Sequence, residues 1–214
     1  TGKLRKELGI LPPGDVRRAI LALSDLPFAQ KTLEKVFKFR FGNGKSLAGH
    51  SLGNILLAAL TQITGSMDRA IDEAARILNV SGKVLPVTLD KSNLVAILDD
   101  GTRIFGENKI DRRRIKPRLR IKNVYLSPNA KIFEGARKAL IEADFIVLGP
   151  GDLYTSIAPA LLVEGVAKAL KASKAKIIYI VNLMTKKGET DGFAASDFMK
   201  VIEEYLGEAR GKLS

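Results

Sequence analysis

Phe145-Ile146-Val147-Leu148, running into Gly149-Pro150-Gly151-Asp152-Leu153-Tyr154-Thr155-Ser156, is the stretch that decides the fold. A short apolar run closed by glycine and proline reads as a buried strand, and the spacing after it predicts a helix over 157–170. A second apolar run, Lys176-Ile177-Ile178-Tyr179-Ile180-Val181, opens into another glycine-containing loop and a helix near 195–206. Strand, loop, helix, strand, loop, helix is the pattern of a parallel sheet with helices packed on it. The fold class is therefore read as α/β, a Rossmann-like, mostly parallel sheet with flanking helices and a β-hairpin excursion.

Working outward, the excursion falls at 83–106. Residues 83–89 and 94–98 are rich in strand formers, and Asp99-Asp100-Gly101-Thr102 reads as a turn into 103–105. Residues 118–126 alternate cation and apolar residue, as a strand with one wet face does. The first third is helical. Asp15 reads as an N-cap ahead of Val16, Ala19, Ile20 and Leu23, and Leu33, Val36, Phe37 and Phe41 repeat that spacing. Ser51 is placed as the cap of a helix over 52–63 closed by Gly65, and Ser66 as the cap of the next, over 67–78. No internal repeat is visible, and residues 1–214 are read as one domain.

Composition narrows the chemistry. The 214 residues carry 35 Lys and Arg against 23 Asp and Glu, a net charge of +12, with no Cys and one His. A disulfide frame, a thiol nucleophile and a multi-histidine zinc site are excluded. The longest clean apolar run, 55–60, is far short of the roughly 20 residues that span a bilayer. No membrane partner is expected, and the reduced cytoplasm is the expected compartment. Seven cations crowd the eleven residues from Arg112 to Lys122, and no acidic residue comes after Asp111 until Glu134. Such a run suits a polyanion. It also suits a charged strand edge, which is favoured because the stretch lacks the aromatics that stack bases.

Four segments carry motif chemistry. Gly49-His50-Ser51-Leu52-Gly53 matches a serine nucleophile elbow in letters. The elbow needs a strand before it and a histidine elsewhere in the chain, and neither is present. The segment is read as a helix start whose His50, Ser51 and Asn54 could face a ligand. Gly44-Lys45-Ser46 resembles the end of a phosphate loop, but the required glycine is Phe39. Gly149, Pro150, Gly151, Asp152, Leu153, Tyr154, Thr155 and Ser156 leave the C-terminal end of a strand, where ligands of open α/β sheets bind. Their glycines admit a close anion, and the next helix start offers free N–H groups; a plain capped turn is the alternative. Asn182, Thr185, Gly188, Glu189, Thr190 and Asp191 leave the next strand in the same way, so the two loops should share one rim. Glu189 and Asp191 are either oxygen ligands for Mg²⁺ or caps of the next helix, the caps being favoured. In Leu11-Pro12-Pro13-Gly14-Asp15-Val16-Arg17, Asp15 caps and Arg17 pairs with phosphate or lies in water.

Residues 11–17 (LPPGDVR), 47–54 (LAGHSLGN), 148–156 (LGPGDLYTS) and 182–196 (NLMTKKGETDGFAAS) occur in an order that resembles the YvcK-type gluconeogenesis factors. These belong to the superfamily of the 2-phospho-L-lactate transferase CofD. The resemblance implies a cytoplasmic Rossmann-like protein that binds a UDP-sugar such as UDP-N-acetylglucosamine and serves gluconeogenic growth and cell shape. The transferase branch implies instead Mg²⁺-dependent transfer of 2-phospho-L-lactate to a deazaflavin. Family members carry a first strand with a GGGTG-type loop and a DDGGSSG segment ahead of the LPPGD region. The opening residues here resemble the family segment immediately after that acidic pair. The family also continues beyond 206, so the resemblance marks the chain as the middle of a longer protein. Asp152 stands where Ser is common in the family, and Phe193 where Tyr is common. On this reading the ligand set is Asp15, Arg17, Gly49, His50, Ser51 and Asn54 with the two loops, and backbone amides at 151–156 hold a diphosphate. No catalytic residue and no fixed metal ligand are assigned, Mg²⁺ is the one cofactor entertained, and a homo-oligomer is left open. A nucleic-acid module using Arg112 to Lys122 is the third, disfavoured, reading.

Overall fold

The computed structural model describes residues 8–25, 31–43, 47–112 and 119–213. The chain divides into two compact units, Thr1–Leu89 and Asp90–Ser214. Among the described residues no helix is long and apolar enough to cross a membrane.

The first unit is helical: α1 (Gly14–Ala22), α2 (Lys31–Lys38), α3 (Leu52–Thr64) and α4 (Met67–Ile77). Its core is Ile10, Ile20, Phe37, Leu57, Ala58, Met67, Ile71, Ala74, Leu78 and Val84. Ser51 caps α3 as its sequence position demands, its Oγ accepting from the Asn54 amide at 3.3 Å. Gly65 closes that helix in the left-handed conformation, with its N–H on the Thr61 carbonyl. Two other caps differ from expectation. Pro13 takes the N-cap position of α1, which places Asp15 inside the first turn, paired with Arg18 and not with an amide. Ser66 stands at the N-cap of α4, but its side chain makes no capping bond.

The second unit is α/β. β1 (Asn93–Leu98) pairs antiparallel with β2 (Arg103–Phe105) and, on its other side, with β3 (Ile121–Ser127). The hairpin turn is as expected, with the Leu98 amide on Thr102 O (2.9 Å) and Gly101 at positive φ. β3 is an edge strand, so its exposed Lys122 sits where charge discourages edge pairing. Residues 83–89, expected as a strand, form none. Pro86 lies in the middle of that run and has no N–H to give a ladder. A one-turn helix, α5 (Glu107–Asp111), comes after β2 and a longer one, α6 (Glu134–Glu142), after β3, and neither was expected.

β4 (Phe145–Leu148) and β5 (Lys176–Tyr179) pair in parallel and in register, with Val147 opposite Ile178. This pair is the parallel part of the described sheets; the larger sheet, β2-β1-β3, is antiparallel. One face of the pair is buried through Ile146 and Ile177, whereas Phe145, Val147, Ile178 and Ile180 are exposed on the other. The connection between the strands is broken where one helix was expected. A wide π turn (Leu153–Ile157) leads into α7 (Ala158–Leu161), and α8 (Val166–Ala172) begins only after Gly165. Glu164 breaks the run by pairing its backbone with Ala130 and Ile132, at 2.8 and 2.9 Å. Gly165 is required there: its φ is +97°, and a Cβ would come 2.7 Å from Ile132 Cγ2. α9 (Ala195–Leu206) closes the unit, and its Tyr205 hydroxyl accepts from the Val124 amide of β3 at 2.9 Å.

Candidate functional site

In the second unit, a parallel pair presents both C-terminal strand ends on one side, so the loops after β4 and β5 leave together. They start side by side at Gly149, whose φ is +89° and whose Cβ, were there one, would lie 3.2 Å from the Ile180 carbonyl. Lys186 then joins the loops. Its ammonium pairs with Asp152 (2.6 Å) in the β4 loop, with Glu189 (2.7 Å) in its own loop, and with Asp111 at the end of α5. The three carboxylates each bring an oxygen within 4.8 Å of the others.

The electrostatics of this cluster are lopsided. Glu189 is buried, its side chain 1% exposed, and its Oε2 has no hydrogen-bond partner. Burial pushes the Glu189 carboxyl above the usual glutamate range, Lys186 opposes that, and Asp152 and Asp111 add to it. Burial pulls the Lys186 ammonium down, but its bonds to Asp111, Asp152 and Glu189 outweigh burial and hold it above the usual lysine range. With all four groups ionised, one positive charge faces three negative ones, so the cluster attracts a further cation and repels a bare phosphate.

Several expected ligand residues do other work. Leu153 and Tyr154 are in the core. Burial, with Tyr205, Glu204, Glu189 and Asp99 nearby, pushes the Tyr154 phenol up. The Ser156 amide is spent on the Asp152 carbonyl at 2.9 Å, which removes it from the expected anion cradle, although its side chain is exposed. Thr155 is buried with an unpartnered Oγ1, and Asn182 buries an unpartnered Oδ1. Pro150 and Thr185 are exposed, and Gly151 is half-buried. Neither Glu189 nor Asp191 caps α9. Ala194 and Asp197 perform that task, the Ala194 amide donating to the Asp197 carboxylate at 2.9 Å. Asp191 instead accepts the Gly188 amide, and Thr190 Oγ1 accepts the Lys186 amide at 2.8 Å, so this loop is closed by its own side chains. Lys186 and Asp111 were missed in the sequence. Their signals are faint: Asp111 is the last acid before the cation run, and Lys186 opens a Lys-Lys pair.

The first unit gathers the other expected residues. Arg17 Nε donates to Asn54 Oδ1 at 3.1 Å, so LPPGDVR and LAGHSLGN meet in one cluster. Gly53 lies under Arg17: a Cβ there would be 2.9 Å from Arg17 Cδ and 2.7 Å from the Phe37 carbonyl. The Gly49 amide donates to Phe41 O (2.8 Å), and His50 O accepts the Phe41 amide (3.0 Å). This ties the segment beside Arg40, which bridges with Ser51. His50 is buried with an unpartnered Nδ1. Gly44-Lys45-Ser46 and residues 113–118 of the basic run lie outside the described residues.

Residues 1–213 match the sequence family described as 2-phospho-L-lactate transferase CofD. The chain is similar to a Gluconeogenesis factor of Halalkalibacterium halodurans, 47% identical over 97% of this chain and 62% of that protein. It is also similar to the Gluconeogenesis factor of Bacillus subtilis, 42% identical over 97% of this chain and 63% of that protein. A crystal structure of a Bacillus halodurans protein superposes with a TM-score of 0.90 at 46% identity, covering 98% of this chain and 65% of the other. The chain thus spans less than two thirds of the length of these relatives.

Proposed function

The chain belongs to the 2-phospho-L-lactate transferase CofD family, and on that premise we propose that the shared edge of β4 and β5 binds the diphosphate of a nucleotide sugar together with Mg²⁺. The observation that carries this is the ion pair of Lys186 with Asp152, 2.6 Å long, between loops that leave neighbouring parallel strands. The donor set suits the metal. Three carboxylate oxygens lie within 4.8 Å of one another, and hard oxygen ligands are what Mg²⁺ takes. Asp111, Asp152 and Glu189 would hold it, and it would supply the positive charge that a diphosphate needs at an otherwise acidic place. Lys186, displaced from the carboxylates, is then available to phosphate oxygens. Gly151 keeps the β4 loop slim, since a Cβ there would come 3.1 Å from Ser156 Cβ.

In this reading the intact protein is a cytoplasmic, UDP-sugar-responsive factor serving gluconeogenic growth and cell shape. The relatives named Gluconeogenesis factor support that role. The test is calorimetric titration of UDP-N-acetylglucosamine, with and without Mg²⁺, into the full-length protein and its Gly151→Val variant. Mg²⁺-dependent binding that weakens about tenfold or more in the variant is expected, a loss of about 1.4 kcal/mol. Equal affinity for both proteins removes the loop from the site. The family match favours one second reading, a Mg²⁺-dependent transferase acting on a deazaflavin acceptor. Formation of that product by the full-length protein would replace the regulatory reading with it.

A further inference from the structure

The first unit carries an anion problem of its own. Arg17 is half-buried, and neither it nor Arg40 has an ion pair among the described residues. Their polar contacts are the Asn54 side-chain oxygen and the Gly49 carbonyl respectively. Burial first, then Arg40 and Arg18 close by, lower the Arg17 pKa. Arg17 and Arg40 thus repel one another with no carboxylate paired to either among the described residues, an arrangement that an anion would relieve.

Beside Arg17 the surface is hollow. A cavity of about 300 Å³ lies between α1 and α2, lined among the described residues by Arg17, Arg18, Leu21, Ala22 and Lys38. That volume is at the small end of ligand pockets. Arg18 pairs with Asp15, and Lys38 with Glu34, so among the described lining residues the charge not already paired with a carboxylate is that of Arg17. Its guanidinium is set in place. Nε is held by Asn54, and Asn54 sits one turn into the helix that Ser51 caps. Gly53 lets the Arg17 stem pass where any larger residue would collide. With Nε engaged, the remaining fork of Nη donors matches two oxygens of one anion.

We infer that this cavity is a binding site for the phosphoryl group of a small organic phosphate, received by Arg17 with Arg18 and Lys38 beside it, and with Leu21 and Ala22 as the apolar lining for the organic part. The site is built from the first unit alone and uses none of the loops of the second, so it stands or falls independently of the nucleotide-sugar reading.

The experiment is an NMR titration of the full-length, isotope-labelled protein with inorganic phosphate, in parallel with acetate and with KCl at matched ionic strength. The reporters are the Arg17 Nε–H and the Gly53 and Asn54 amides; the Gly151 and Thr155 amides report on the other unit. Phosphate is expected to move the first set saturably. Arg17→Lys keeps the charge but loses the fork and should bind about tenfold more weakly, and Lys38→Gln, at an exposed residue, about two- to threefold more weakly. Shifts reproduced by KCl, equal affinity in both variants, or movement confined to Gly151 and Thr155 would overturn the site. Acetate binding as tightly as phosphate would overturn the phosphoryl assignment.

Discussion

The two units solve opposite electrostatic problems with the same economy of residues. In the first, Arg17 is fixed by Asn54 and Gly53 and makes no ion pair among the described residues. In the second, Lys186 is surrounded by three carboxylates, one of them buried. The first cluster is short of negative charge and the second is short of positive charge. That imbalance decides what each should attract. The net charge of +12 does not, because it describes the whole surface and no particular place on it.

The contrast is broken most forcibly at Lys186. Lys186→Met leaves three carboxylates facing one another with Glu189 buried, and should cost about 2–3 kcal/mol at neutral pH by denaturant melts, somewhat under a fully buried pair because the lysine side chain is 26% exposed. The pH dependence carries its own sign. Glu189 is raised in the fold, so the native state holds its proton longer than the unfolded chain, and stability falls as pH climbs from the ordinary glutamate range to that raised value. Without Lys186 this slope should steepen. Adding Glu189→Gln should flatten it and recover most of the loss; a double variant as unstable as the single would show that charge is not the cause. Lys186 itself is raised, so its contribution is complete below the usual lysine range and disappears as pH passes the folded value.

Gly53→Val tests the other cluster through its packing. The added Cβ meets a backbone carbonyl, which cannot swing aside as a side chain can, so a loss of about 2 kcal/mol is expected, with the Arg17 Nε–H resonance displaced. Ser51→Ala removes the cap that starts α3 and should cost about 1 kcal/mol. Asp15→Ala should change stability by less than about 0.5 kcal/mol, because the residue is 76% exposed and pairs only with Arg18. A loss of about 1 kcal/mol there would restore it as a cap.

Legibility tracked the range of the interactions involved. Ser51, Gly65 and the Asp99-to-Thr102 turn were readable because each acts within a few residues of itself. The parallel pairing of β4 and β5 was readable because apolar runs closed by glycine have few other uses in an α/β chain. The run at 83–89 misled because β-formers outvoted a single Pro86. The break at Gly165 was hidden because its cause is a strand-like pairing with residues 130–132, more than thirty positions upstream. In the site, the meeting of the two loops was foreseen, but Lys186 was not. A lysine in a polar loop looks like solvent-facing charge until Asp111, 75 residues away, is folded against it.

The loop after β5 is also held by bonds that do not involve the ammonium. The Glu189 and Thr190 amides donate to the Lys186 carbonyl at 3.0 and 2.9 Å, and Thr190 and Asp191 return bonds to the backbone. Under the proposed reading, admitting a metal ion would therefore ask the Lys186 side chain to swing about its own torsions, with no segment to unravel and rebuild. The seat would be built before its occupant arrives, and an ion entering it would have its own water shell to shed rather than a loop to refold.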